Sequence, residues 1–67
     1  MNIIINNESL QLHETISIHQ LLSHLNIKQL NGIAVAIDEQ VIKKSDWENV
    51  KLLENQKVTI ITASQGG

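Results

Sequence analysis

The residues of this chain best placed to do chemistry are its last ones. A strand-like run, Val58-Thr59-Ile60-Ile61-Thr62, leads straight into Ala63-Ser64-Gln65-Gly66-Gly67 and a terminal carboxylate. With average glycine usage near 7%, a terminal Gly-Gly is a roughly 0.5% event, rare enough to be weighed as a signal. Neither glycine can pack or act through a side chain. Without a Cβ, however, such a segment threads a passage too narrow for other residues. The reactive group it carries is the Gly67 carboxylate, a poor electrophile until it is given a leaving group. The expected role is therefore presentation of that carboxylate to other proteins, with Gln65 and Gly66 as its slender approach and residues 63–67 as a flexible tail. The competing reading is a frayed end without chemistry.

The other reactive side chains do not form a site. His13, His19 and His24 invite a metal or acid–base reading, but His19 and His24 are five residues apart. Ligands sharing one helix face need a spacing of three or four, so the histidines read as solvated surface and no metal is expected. Asp38-Glu39 falls in a turn with no partner carboxylate in sequence. Ser64 has no histidine relay that can be placed beside it. Trp47 reads as a core anchor before it reads as a binding aromatic. Lys43-Lys44 is a small basic spot, able at most to pair with an acidic partner surface.

Composition narrows the class. The 67 residues carry five lysines, no arginine and seven acidic groups, for a net charge of −2, and Trp47 is the sole aromatic. A basic groove with stacking aromatics is therefore missing, and nucleic acid is not an expected partner. There is no cysteine, which rules out disulfides and thiolate metal sites and suits a reducing compartment. It also means that any sulfur carried by the chain cannot sit on its own side chains as a persulfide. No apolar run approaches the ~20 residues of a membrane span, and no signal peptide opens the sequence. One small domain over residues 1–67 is expected, cytoplasmic, without a membrane partner, and too small to wall a substrate pocket with its own core.

The elements that must position the tail can be read in order. Met1-Asn2-Ile3-Ile4-Ile5-Asn6 is a short β-branched strand, Asn6-Asn7-Glu8 a polar turn, and Ser9-Leu10-Gln11-Leu12-His13 a half-buried alternating strand, which together predict a hairpin. Ile18, Leu21, Leu22 and Leu25 fall at i, i+3, i+4 and i+7, one apolar stripe of a helix over Ile18 to Leu25. Ser17 and Gln20 form a capping box, Ile16 can staple against Leu21, and Asn26 supplies a left-handed stop. Asn31-Gly32 marks a turn before a third strand, Ile33-Ala34-Val35-Ala36-Ile37. Asp38-Glu39-Gln40 turns into a short return strand, Val41-Ile42. Ser45-Asp46-Trp47-Glu48 reads as a capped single helical turn, and Leu52-Leu53 precedes a polar corner, Glu54-Asn55-Gln56, before the last strand, Lys57 to Thr62. Strand, strand, helix, strand, short strand, strand describes a two-layer α+β domain. If the last strand lies parallel beside the first, both apolar runs become central in a mixed sheet with the helix on one face, the β-grasp or ubiquitin-like arrangement.

These pieces together resemble the ThiS family, the sulfur carrier proteins of thiamin biosynthesis. The likeness spans essentially the whole chain. It rests on the opening strand, Ser17-Ile18-His19-Gln20-Leu21-Leu22, Ile33-Ala34-Val35-Ala36-Ile37, Val41, Ser45-Asp46-Trp47, Val58-Thr59-Ile60 and Gln65-Gly66-Gly67. One departure is the corner Glu54-Asn55-Gln56, where the family often has an acidic-Gly-Asp turn. Asn55 can take the positive φ of the missing glycine, whereas the lost charge at Gln56 bears on partner contacts. The resemblance implies a carrier and co-substrate rather than an enzyme. An adenylating enzyme of the ubiquitin-activating kind (ThiF type) would activate Gly67 with ATP, and a persulfide donor would convert it to a thiocarboxylate. Thiazole synthase (ThiG type) would consume that sulfur. The chain itself would bind no cofactor, ATP being consumed by the activating partner.

Strand alternation suggests where such partners dock. If Met1, Ile3, Ile5, Val58 and Ile60 face the helix, Ile4 and Ile61 point to the other face, together with Ala34 and Ala36. A flat apolar patch of Ile4, Ala34, Ala36 and Ile61 would then lie beside the tail. Two other functions use the same end. The small subunit of molybdopterin synthase shares fold and thiocarboxylate chemistry but is usually longer, with an aromatic-rich last strand. A ubiquitin-like tag would instead join Gly67 to a lysine of a target.

Overall fold

The opening run forms strand β1 (Asn2–Ile5), and two asparagines turn it back into β2 (Glu8–Gln11). The structure, a computed structural model, describes residues 1–62; the tail 63–67 lies outside the described residues. Asn6 and Asn7 take φ of 48° and 71°, the two left-handed positions that a type I′ hairpin turn requires. The same device recurs between β3 (Ile33–Ile37) and β4 (Gln40–Ile42), where Asp38 and Glu39 have φ of 48° and 72°. Between the hairpins, helix α1 (Ile18–His24) buries Ile18, Leu21 and Leu22, three of the four residues of the expected stripe; the fourth, Leu25, is the C-cap one residue past the helix and is half-buried against the core. At seven residues it is too short to persist alone and depends on this packing.

Both ends of α1 are fully capped. The Ser17 hydroxyl accepts from the Gln20 amide (3.2 Å), and the Gln20 side chain accepts from the Ser17 amide (2.9 Å). The next two free donors find carbonyls outside the helix: Ile18 N–H donates to Val50 (3.1 Å) and His19 N–H to Trp47 (3.1 Å). At the other end Asn26 has φ of 63°. Its amide donates to Ser23 (3.0 Å) and the Ile27 amide to Leu22 (2.9 Å), a complete Schellman motif with asparagine in the glycine position.

After β4 a 3₁₀ turn (Lys44–Asp46) delivers Trp47 into the core, 2% exposed, where its Nε1–H donates to the Ile42 carbonyl (3.0 Å). The chain then crosses the start of α1, with Leu52 N–H donating to Ile16 (2.8 Å), and enters β5 (Lys57–Thr62). The strand order is β2-β1-β5-β3-β4. β5 runs parallel to β1 and antiparallel to β3, so the last strand occupies the middle of the sheet. The core comprises Ile3, Leu12, Ile18, Leu21, Leu22, Val35, Ile37, Trp47, Leu52 and Val58, between the sheet and the helix. This is the β-grasp arrangement, reached because the β-branched runs at the two ends of the sequence pair side by side.

Candidate functional site

The central strand β5 ends at Thr62, the last described residue, and the residues that hold this strand lead up to the candidate site. On one side β3 pairs with β5 along its whole length, from Ile37↔Val58 to Ile33↔Thr62. On the other side β1 supplies a shorter parallel ladder, with Ile4↔Lys57 and Ile5↔Val58 in register. Ile4 N–H donates to Gln56 (2.9 Å) and Asn6 N–H to Val58 (2.9 Å), after which the backbone of β1 turns away. One further rung exists, made by a side chain. Asn6 Nδ2 donates to the Ile60 carbonyl (3.3 Å), and Asn6 Oδ1 accepts from the Ile60 amide (2.9 Å).

The start of β5 is held in the same way. The Lys57 amide donates to Asp38 Oδ1 (3.0 Å), and the Asp38 amide donates to the Lys57 carbonyl (2.8 Å). In the preceding corner Asn55 has φ of 64°, as its glycine-like position demands. Its amide donates to the Asn2 carbonyl (2.6 Å), while the Asn2 amide donates to Glu54 Oε2 (3.0 Å). The Gln56 side chain accepts from the Leu53 amide (2.7 Å). A neutral amide oxygen thus does the work of an acidic side chain here, so the missing charge at Gln56 leaves the corner intact. These polar contacts escape the sequence reading, which found the turns from their φ requirements but had no signal for which side chain reaches which strand.

The sheet face away from the helix carries the expected docking residues unevenly. Ile4, Ala34, Ala36 and Ile61 all lie outside the core cluster, in keeping with strand alternation. Ile61 is 54% exposed and pairs directly with the half-buried Ala34, one residue before the tail's root at Thr62. Two expectations need correction. Ala36 is only 8% exposed, because it lies between Thr59 on β5 and Val41 on β4, whose longer side chains cover it. Ile4 is opposite Lys57, at the far end of β5 and roughly 13 Å along the strand from Ile61. Parity sets the face, whereas register sets the neighbours. The residue that sequence reading missed is Val41, 71% exposed and paired with Ala36. It lies on the same face as Ile61 and Ala34, diagonal to Ala34 across β3 and β4.

The remaining candidates stay apart. His13, His19 and His24 are all exposed, and among the described residues no three His, Cys, Asp or Glu groups are placed to hold a metal. Asp38 and Glu39 form a turn whose carboxylate is occupied by the Lys57 amide. Trp47 is the core anchor. Among the described residues, no helix is long and apolar enough to cross a membrane. Gln65, Gly66 and Gly67, with Ser64, lie outside the described residues.

Comparison with known proteins agrees with this geometry across the chain. The sulfur carrier protein ThiS of Escherichia coli (strain K12) is 25% identical over 67 residues, covering all of both chains. The crystal structure of a thiamine biosynthesis protein (ThiS) from Geobacter metallireducens superimposes with a TM-score of 0.86 at 20% identity, each chain fully covered. A solution structure of a thiamine biosynthesis protein from the same organism gives 0.82 at 20% identity, covering all of this chain and 88% of that one. At that identity the structural matches speak for the fold. The ThiS family model matches residues 2–67, from the first strand through both terminal glycines, and the chain therefore belongs to the ThiS family.

Proposed function

We propose that this protein is a sulfur carrier of thiamin biosynthesis whose reactive group is the Gly67 carboxylate. The observation that carries the reading is a family match over residues 2–67, which includes Gly66-Gly67, on a fold whose central strand ends five residues before that carboxylate. A carboxylate oxygen attacks the α-phosphorus of ATP, pyrophosphate leaves, and the resulting acyl-adenylate has AMP as a good leaving group. A persulfide sulfur then attacks the acyl carbon and expels AMP. Cleavage of the S–S bond by a second thiol leaves the thiocarboxylate. With no cysteine in the sequence, Gly67 is the position where the chain can hold transferable sulfur.

The chain acts as carrier and co-substrate in this scheme, and the catalysts are its partners. A ubiquitin-activating-type (ThiF type) enzyme supplies ATP and the adenylating site, and a thiazole synthase (ThiG type) consumes the sulfur. Five residues follow Thr62, and fully extended they reach at most ~17 Å. The partner must therefore seat the sheet close to its nucleotide. The patch of Ile61, Ala34 and Val41 is the surface that we assign to that seating, since it is apolar and continuous with the tail's root.

The test is the intact mass of protein isolated from thiamin-starved cells, with the C-terminal peptide fragmented. Replacement of one oxygen by sulfur on Gly67 is the expected result. An unmodified mass, with Gly67 recovered on lysines of other proteins, would overturn the carrier reading in favour of a protein tag.

A further inference from the structure

The Asn6 side chain is a peptide-like rung added to the sheet where β1 has run out of backbone. In a parallel ladder, the amide and carbonyl of one residue bond to the neighbouring strand together. The Gln56 and Val58 carbonyls accept from the main-chain amides of Ile4 and Asn6; at Ile60 the carbonyl and the amide are both met by the two halves of one primary amide. The orientation of that amide follows from its partners, because the Ile60 N–H needs an acceptor and the Ile60 carbonyl a donor. Asn6 can do this because it sits at the first left-handed position of the hairpin turn, φ 48°, where the backbone curls away. Its side chain then stays in line with β1. Among the described residues it is the last group on this side that bonds to β5; Ile61 and Thr62 are paired from β3 alone.

We infer that Asn6 is a positioning residue for the C-terminal tail, clamping Ile60 so that the strand leaves the sheet in one direction. This rests on the carrier reading above. The proposed reactive carboxylate is seven residues beyond Ile60, so the direction of the last described part of the strand sets where a docked partner meets the segment that carries it. An adenylating partner that must bring a carboxylate oxygen against a phosphorus atom gains rate when the strand leading to it is held in one orientation. Asn6 touches no reacting atom. Its contribution is to the fraction of docked encounters in which the tail enters.

Asn6→Gly isolates the clamp, because glycine accepts the left-handed turn position and removes only the side-chain amide. Asn6→Asp keeps the acceptor for the Ile60 amide and loses the donor to its carbonyl. Two measurements on the full-length chain decide the matter: amide hydrogen exchange at Ile60, and the kinetics of pyrophosphate release with ATP and a ThiF-type adenylating enzyme. For Asn6→Gly we expect Ile60 protection to fall about tenfold or more while core amides such as Val35 and Leu21 hold. We also expect kcat for adenylation to fall about fivefold with KM within twofold, and Asn6→Asp to lie between this variant and the wild type in both measurements. Unchanged exchange at Ile60 would overturn the clamp. Faster exchange with wild-type kinetics would overturn the positioning role while leaving the carrier reading in place. A wild-type chain that yields no adenylate would overturn the carrier reading and the positioning role with it.

Discussion

Single side chains carry much of the order in this small domain. Trp47 is the largest buried group, and its indole N–H is spent on the Ile42 carbonyl. Trp47→Ala should therefore lower stability by about 3–5 kcal/mol, read as a shift in the urea midpoint with the slope unchanged. Trp47→Phe, which loses the hydrogen bond and some volume but keeps an aromatic, should cost less. Glu39 shows the opposite case. It holds φ of 72° in the second hairpin turn without a glycine's freedom, and its exposed side chain makes no hydrogen bond among the described residues. Left-handed backbone costs an L-residue roughly 1–2 kcal/mol, partly offset in a glycine by the greater entropy of its unfolded chain. Glu39→Gly should thus raise stability by about 0.5 kcal/mol in the same titration. Asp38, its neighbour with φ of 48°, is held by reciprocal bonds to Lys57 and would not tolerate that exchange as well.

The elements are short, and their ends matter as much as their middles. Helix α1 has seven residues, and all of its first free donors are satisfied: by Ser17, by Val50 and by Trp47. Two of those acceptors belong to the crossing segment after β4, so the cap and the tertiary docking of the helix are one structure. Ser17→Ala should cost about 1 kcal/mol. Because Ser17 is itself buried at 3% exposure, the loss should exceed that of Gln20→Ala, whose side chain caps from an exposed position. Thermal unfolding of the two variants gives the comparison, and equal losses would show that the reciprocal bonds act as a unit. The hairpins differ in kind: β1–β2 uses asparagines suited to positive φ, whereas β3–β4 relies on tertiary bonds from Asp38 to hold a less suitable pair.

For the domain as a whole, the consequence of the sheet order is that the strand preceding the proposed reactive end is the middle one, and apolar residues of three strands share its outer face. Ile61 belongs to β5 and pairs with Ala34 on β3, while Val41 on β4 pairs with Ala36 two residues further along β3, so register places Val41 diagonal to Ala34 on the same face. Ile61→Glu should retain the fold, since that side chain is over half exposed, and should raise KM for adenylation about tenfold, equivalent to ~1.4 kcal/mol of docking energy. Val41→Glu should act in the same direction. Ile4→Glu, at the other end of β5, should have a clearly smaller effect on KM; an equal effect would mean that the partner covers the entire sheet face. Steady-state kinetics, with far-ultraviolet circular dichroism as the folding control, distinguishes these outcomes.

Much of this was legible in the residues, for reasons that are local. The period-3.6 stripe of Ile18, Leu21 and Leu22, the Ser17–Gln20 box, the stop at Asn26 and the positive φ at Asn55 depend on neighbours within a few positions, and each is found where the spacing predicts it, with Leu25 as the half-buried C-cap just beyond the helix. The inward and outward faces of the strands follow from alternation, a property of the extended backbone itself. The Gly-Gly end and the absence of cysteine are likewise plain in the sequence, and they define the class of chemistry proposed. What the residues could not disclose depends on pairs far apart in the chain. The reach of Asn6 to Ile60, of Asp38 to Lys57 and of Asn2 to the corner at Glu54 spans 19 to 54 positions. Such contacts exist only once strand order and register are set, because a hydrogen bond is directional and short, and no local preference encodes its distant partner. The same holds for the patch beside the tail. Alternation placed Ile4 and Ala36 on the correct face, but only the folded sheet could separate Ile4 from Ile61, cover Ala36, and bring Val41 alongside.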